Sequence, residues 1–174
     1  MTRTSKFIVA LMAGSLPACG GDHRDWRLLD RALDSSQTIS IPLSAKYSGN
    51  HQVVLEFAEP LPDAHVEELV TSAAATTGTS GAPTFDFSWQ LLREGQVLSR
   101  RESPQVSTGV REIRTSGLGE GPLKSTGLVF GGFDLEAGNE YTLRILPGPE
   151  LTAIIRVMPR VVVVYQPYTL RVTP

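Results

Sequence analysis

The stretch "TGLVFGGFDLEAGNEYTLRIL", residues 126–146, decides how the chain is read. Leu128 and Phe130 stand in one phase of a two-residue period, Phe133 and Leu135 stand in the other, and Gly131-Gly132 lies between them. Successive strand side chains face opposite sides of a sheet. A one-residue phase slip at glycines therefore predicts a β-bulge inside one long strand. "EAGN" (136–139) then turns the chain into Tyr141, Leu143 and Ile145, which alternate again.

The same period runs outward in both directions. Downstream, "PGPE" (147–150) predicts a turn into a strand on Leu151, Ala153, Ile155 and Val157. Val161–Tyr165 and Tyr168–Val172 follow as further strands, separated at Pro167. Four consecutive valines, 161–164, suit a strand covered on both faces. Upstream, Phe85, Phe87, Trp89 and Leu91 alternate with polar residues, "REGQ" (93–96) turns, and "VLSRR" (97–101) returns as a hairpin partner. Residues 102–125 are polar and glycine-rich, with a short strand or a mobile loop expected near Val110–Ile113.

Nearer the start, Ile39, Ile41, Leu43 and Ala45 form one strand, and Pro42, which has no N–H to donate, places it at a sheet edge. Val53, Leu55 and Phe57 repeat the pattern after "YSGN" (47–50). One helix interrupts the series: Asp63 is its expected N-cap, Val66, Leu69, Val70 and Ala73 share a face, and Gly78 ends it. Residues 76–84, "TTGTSGAPT", form a small-residue loop. In residues 20–36 the spacing of Trp26, Leu29 and Leu33 is helical, which predicts a tether containing a short helix that docks on the domain or lies near a membrane.

Eight or nine short strands with regularly spaced turns predict a mainly-β chain, an antiparallel β-sandwich with one short inserted helix. A closed β-barrel is the alternative. "FDLEAGNEYTL" (133–143) resembles a turn common in sandwich modules, too widespread to indicate a ligand.

The first eighteen residues differ from the rest. Arg3 and Lys6 precede the apolar run Phe7–Gly14, the order found in secretory signals and too short for an ordinary membrane span. Leu16-Pro17-Ala18-Cys19 resembles the lipobox of bacterial lipoproteins, with Pro17 departing from the commonest residue at its position. The resemblance implies cleavage between Ala18 and Cys19 and attachment of a diacylglyceryl group to the Cys19 thiol. Gly20, where an aspartate would favour inner-membrane retention, implies an outer-membrane anchor facing the periplasm; inner-membrane retention and surface exposure stay open. The other readings of Cys19 are an ordinary signal cut after Ala18 and a buried structural cysteine. The expected organisation is a signal peptide at 1–18, a lipidated tether at 19–36 and a β-sandwich domain at 37–174, similar to small β-sandwich lipoproteins without pointing to one family.

Cys19 is the only cysteine, so no internal disulfide can form. Net charge is −2, and losing Arg3 and Lys6 with the leader leaves 14 basic against 18 acidic residues, a net charge of −4. That balance, and the lack of basic stretches interleaved with aromatics, argues against a nucleic-acid partner.

The residues offer little chemistry. His23, His51 and His65 show no metal-ligand spacing and read as solvated surface histidines. Ser80 in "GTSG" lacks the Gly-x-Ser-x-Gly spacing of a nucleophile turn. Asp134, Glu136, Asn139 and Glu140 could gather oxygens around calcium, but their spacing is not that of an EF-hand, and solvated acids are the simpler reading. Arg93, Arg100, Arg101, Arg111 and Arg114 read as solvated strand faces or, alternatively, as a basic patch for an anionic saccharide, a phospholipid headgroup or an acidic protein. No catalytic residue, metal site or cofactor is expected. The function that follows is a membrane-anchored, non-enzymatic binding or structural module, held in the bilayer by acyl chains on Cys19, with a protein or glycan partner met through loops 76–84 and 102–125. A periplasmic immunity-type inhibitor of a toxin is the alternative, and an enzyme whose site only folding assembles is a third.

Overall fold

The computed structural model describes residues 27–77, 79–115 and 123–166. Among them are eleven strands: β1 (Arg27–Ala32), β2 (Ile39–Ser44), β3 (Gly49–Ala58), β4 (Thr84–Phe85), β5 (Phe87–Arg93), β6 (Gln96–Arg101), β7 (Gln105–Val106), β8 (Gly109–Thr115), β9 (Leu123–Leu135), β10 (Glu140–Pro147) and β11 (Arg160–Tyr165). Helix α1 (Ala64–Ala75) follows β3, and α2 (Thr152–Ile155) lies between β10 and β11.

The strands form a five-stranded sheet, β1-β11-β3-β9-β8, a four-stranded sheet, β2-β10-β5-β6, and a small β4-β7 pair. Every pairing is antiparallel. The two larger sheets are open, so the fold is a sandwich and the barrel alternative is excluded. Their inner faces share one core. Val53, Leu55, Phe57, Leu128, Phe130, Val161 and Val163 come from one sheet, and Ile41, Leu43, Phe87, Trp89, Leu91, Leu143 and Ile145 from the other.

The bulge lies where the glycines predict it. Gln52 pairs with Gly132 and Val54 with Val129, so two residues of β9 stand opposite Val53 alone. Leu128, Phe130, Phe133 and Leu135 are consequently all buried in one core. Gly131 has φ +85°, a backbone conformation that favours glycine, and the Arg101 side chain lies over it. At this irregularity the Phe130 carbonyl accepts a hydrogen bond from Trp89 Nε1–H at 2.8 Å, which ties the two sheets together through the core.

β9 and β10 belong to different sheets, so the turn between them is a corner of the sandwich. Tyr141 is buried there, and its hydroxyl oxygen accepts from the Glu136 backbone N–H at 3.1 Å, the arrangement of a tyrosine corner. Pro42 lies on an edge strand, as expected, and the 93–96 turn closes the β5–β6 hairpin with positive φ at Glu94 and Gly95. The valine strand β11 is internal, with Val161 and Val163 in the main core and Val162 and Val164 in a second apolar cluster on the outer face.

Several expectations are corrected. Residues 27–32 are not part of a helical tether: they form β1, which pairs with β11, so the sandwich begins ten residues before the expected boundary at 37. The unpaired flank of β11 supplies the cause, since pairing satisfies its backbone N–H and C=O groups. Residues 151–157 are not a strand. Pro149 opens a 3₁₀ turn (Pro149–Leu151) that runs into α2, and the buried pair Leu151 and Ile154 is spaced for a helix. The fold therefore has a second short helix. Within 102–125, the strand expected near Val110–Ile113 is present as β8, and β7 and the first residues of β9 take up more of the expected loop. Ala18, Cys19, His23, Trp26, Gly78 and the expected strand at 168–172 lie outside the described residues.

The antiparallel register gives the sandwich two unlike ends. The turns at 45–48, 94–95 and 136–139 lie at one end, together with Arg27, which pairs beside Val164. Both helices and the longer connections lie at the other end.

Trp89→Phe is expected to lower unfolding stability by about 2–3 kcal/mol, because it deprives the buried Phe130 carbonyl of its donor and leaves unfilled volume. Urea denaturation monitored by circular dichroism measures this, and a loss below about 0.5 kcal/mol would show that the inter-sheet bond is dispensable.

Candidate functional site

Local sequence builds one wall of the candidate site. Asp63 is extended ahead of α1, and its Oδ1 accepts from the backbone N–H groups of His65 at 2.9 Å and Val66 at 3.1 Å. Those groups would otherwise lack partners at a helix start. Val66, Val70 and Ala73 then point into the core, and Glu67, Thr71 and Ala74 border a groove between α1 and the adjoining ends of β3 and β9.

The groove encloses about 650 Å³. Phe57, Leu61, Val70 and Ala74 give it an apolar lining. Its sheet-side rim is a short polar chain: Thr126 Oγ1–H donates to Glu59 Oε1 at 2.6 Å, and Lys124 Nζ lies 3.1 Å from Glu59 Oε2. The Thr126 hydrogen bond, opposed by partial burial and aided by the Lys124 ammonium, holds the Glu59 carboxyl below its ordinary range. Glu59 and Lys124 neutralise each other, so Glu67 supplies the net charge of the lining. Among the described residues no histidine or cysteine borders the groove. A groove of this volume, part apolar and part polar, has room for a side chain or a small ligand.

The residues singled out by sequence are dispersed. His51 corrects its reading as a solvated histidine: it is fully buried. The pleat explains this, since His51 shares a face with Val53, Leu55 and Phe57. Its Nδ1–H donates to the Gly49 carbonyl at 2.9 Å, and its Nε2 has no hydrogen-bond partner among the described residues. Burial lowers its pKa, against weaker raising influences from Gly49 and Asp134. His65 is exposed in the first turn of α1, and Ser80 is exposed on the loop beyond it.

The acidic turn residues separate as well. Glu136 accepts from Asn139 and lies 3.6 Å from Arg93, Glu140 accepts from Ser44 at 2.7 Å, and Asp134 accepts from Asn50. Among the described residues no three His, Cys, Asp or Glu side chains gather as metal ligands. Among the described side chains the arginines form no single patch. Arg93 stacks over Tyr141, Arg100 pairs with Glu102, Arg101 covers Gly131, and Arg111 lies on the other sheet.

A second polar cluster sits on the outer face of the five-stranded sheet. Buried Glu56 meets Arg27 at 2.8 Å and Ser125 at 2.6 Å, while Asp30 bridges Arg27 and Arg160. These ion pairs hold β1 to the sheet, and Arg111 of β8 lies near enough that burial and the Arg27 charge lower its pKa.

Sequence reasoning missed Glu59, Lys124 and Thr126, which only the β3–β9 pairing brings together. No family model, curated protein or solved structure matches this chain.

The His51 geometry predicts a pH dependence. Its folded pKa is lowered below the ordinary 6.5, so the unfolded chain binds the proton more readily, and stability is lost as pH falls from 6.5 towards the folded value. Thermal melts between pH 8 and about pH 5 should show a steeper acid loss for the wild type than for His51→Leu. Parallel profiles would show that His51 contributes no proton linkage.

Proposed function

We propose that this chain is a lipid-anchored, non-enzymatic binding module of the bacterial cell envelope, and that it receives a protein or glycan partner in the α1 groove. Support for the anchor comes from Leu16-Pro17-Ala18-Cys19 and the basic-then-apolar leader before it. Cys19 carries the acyl chains, and two or three chains at roughly 0.8 kcal/mol per buried CH₂ hold far better than one. The outer membrane, facing the periplasm, is the compartment that Gly20 favours.

The observation that carries the binding role is the groove itself. Its apolar floor contributes affinity by leaving water, while the Thr126–Glu59–Lys124 chain is held in place by its own bonds and can orient a polar group of the partner. Loop 76–84 follows α1 directly and extends the same end of the sandwich.

Cys19→Ala is expected to move the protein from the membrane fraction to the soluble fraction, and continued sedimentation with membranes would overturn the anchor. Thr71→Trp, at an exposed position on α1, should obstruct the groove while leaving the melting temperature nearly unchanged. Recovery of crosslinked envelope partners should then fall by about tenfold or more, equivalent to about 1.4 kcal/mol. Undiminished recovery would place partner binding elsewhere on the molecule.

A further inference from the structure

We infer that the β2–β3 turn, through Tyr47 stacked on Tyr165, rests on the lipid surface to which Cys19 ties the chain, so that the α1 groove faces away from the membrane. This orientation rests on the anchor reading above. Three observations on different parts of the molecule converge on it.

The first is where the chain joins the sheet. Arg27 pairs with Val164, and Tyr165 is the next residue of β11, paired with His51. The eight residues from Cys19 to Arg27 reach at most about 26–29 Å at 3.3–3.6 Å per residue. The groove lies at the other end of β3, and Gln52 and Ala58 alone are about 20 Å apart at 3.4 Å per residue. Bringing the groove end to the membrane would require the tether to run back along the sheet close to full extension.

The second is the chemistry of the near end. Tyr47 is 43% exposed, and its ring lies 5.1 Å from that of Tyr165 in a stacked arrangement. Gly49, with φ +125°, makes room for the Tyr165 ring, which a Cβ would approach to 3.3 Å. Tyrosine has an apolar body and a polar tip, the combination that settles at headgroup level in a bilayer. Among the described residues, Lys46, Arg93 and Arg27 are outnumbered at this end by Glu94, Asp134, Glu136 and Glu140. That balance selects a zwitterionic lipid surface over an anionic one.

The third is shape. Among the described residues the near end is made of the tight turns 45–48, 94–95 and 136–139, whereas the far end carries α1, α2 and the longer connections. A low, closed end suits a planar support, and the elaborated end is left for a partner.

Acylation of Cys19 consumes the only thiol, so an introduced cysteine can be labelled alone. Lys46→Cys and Glu68→Cys, both at exposed positions, would each carry a fluorophore on the full-length acylated protein. The protein is placed on phosphatidylcholine vesicles containing headgroup spin-labelled lipid. Quenching at position 46 should exceed that at position 68 at least about threefold, and adding Tyr47→Ser to Lys46→Cys should reduce the difference. Equal quenching at the two sites, or stronger quenching at 68, on protein that floats with the vesicles overturns the orientation and leaves the anchor standing. Failure of the unmutated chain to float with vesicles overturns the anchor, and the orientation with it.

Discussion

The hydrogen bond from Trp89 Nε1 to the Phe130 carbonyl is the constraint on which the sandwich depends. Trp89 stands on the four-stranded sheet and Phe130 on the five-stranded one, so this is a directional contact between two layers otherwise held by non-directional burial. It occurs at the bulge, where the ladder is disrupted and a main-chain acceptor inside the core needs a donor. Phe85 and Phe87 meet Phe130 edge-on at 5.1 and 4.9 Å, and Trp89 meets Phe133 at 5.4 Å. The bulge thus places two aromatic residues of β9 against Phe87 and Trp89 of the facing layer and Phe85 of the small β4-β7 pair.

The long β9 then serves both ends of the molecule. Before the bulge, Lys124 and Thr126 reach the rim of the groove beside Glu59. After it, Phe133 and Leu135 close the core beneath the tyrosine corner, where Tyr141 fixes the 136–139 turn. One irregularity in one strand lets the same segment line a candidate binding site and seal the opposite end. The groove is therefore coupled to the core through β9 as well as through Val66, Val70 and Ala73 of α1.

How much of this was legible depended on whether neighbours in sequence were also neighbours in space. The Gly131-Gly132 phase slip, the Asp63 cap, the Glu94-Gly95 turn and the edge position of Pro42 all act within a few residues, and each was readable. The helical spacing of Leu29 and Leu33 misled, because the exposed backbone flank of β11 imposed a strand on residues 27–32. Residues 151–157 misled for a local reason: short apolar segments fit a period of two or of 3.6, and Pro149 favoured the helical start. His51 sits beside a turn, which suggests exposure, but its phase is that of Val53 and Leu55, which face the core.

The sequence by itself determined the fold class, the bulge and the first helix, since alternation, glycine placement and capping are properties of adjacent residues. Only the tertiary structure decided what surrounds the groove. Glu59, Lys124 and Thr126 meet because β3 and β9 pair in one register, and Glu67 and Thr71 join them because α1 packs beside those strands. It also decided that His51 is buried and that the turns gather at one end with the helices at the other. Strand pairing joins residues far apart in the chain, and a period of two states which face a residue occupies without stating which strand will lie beside it.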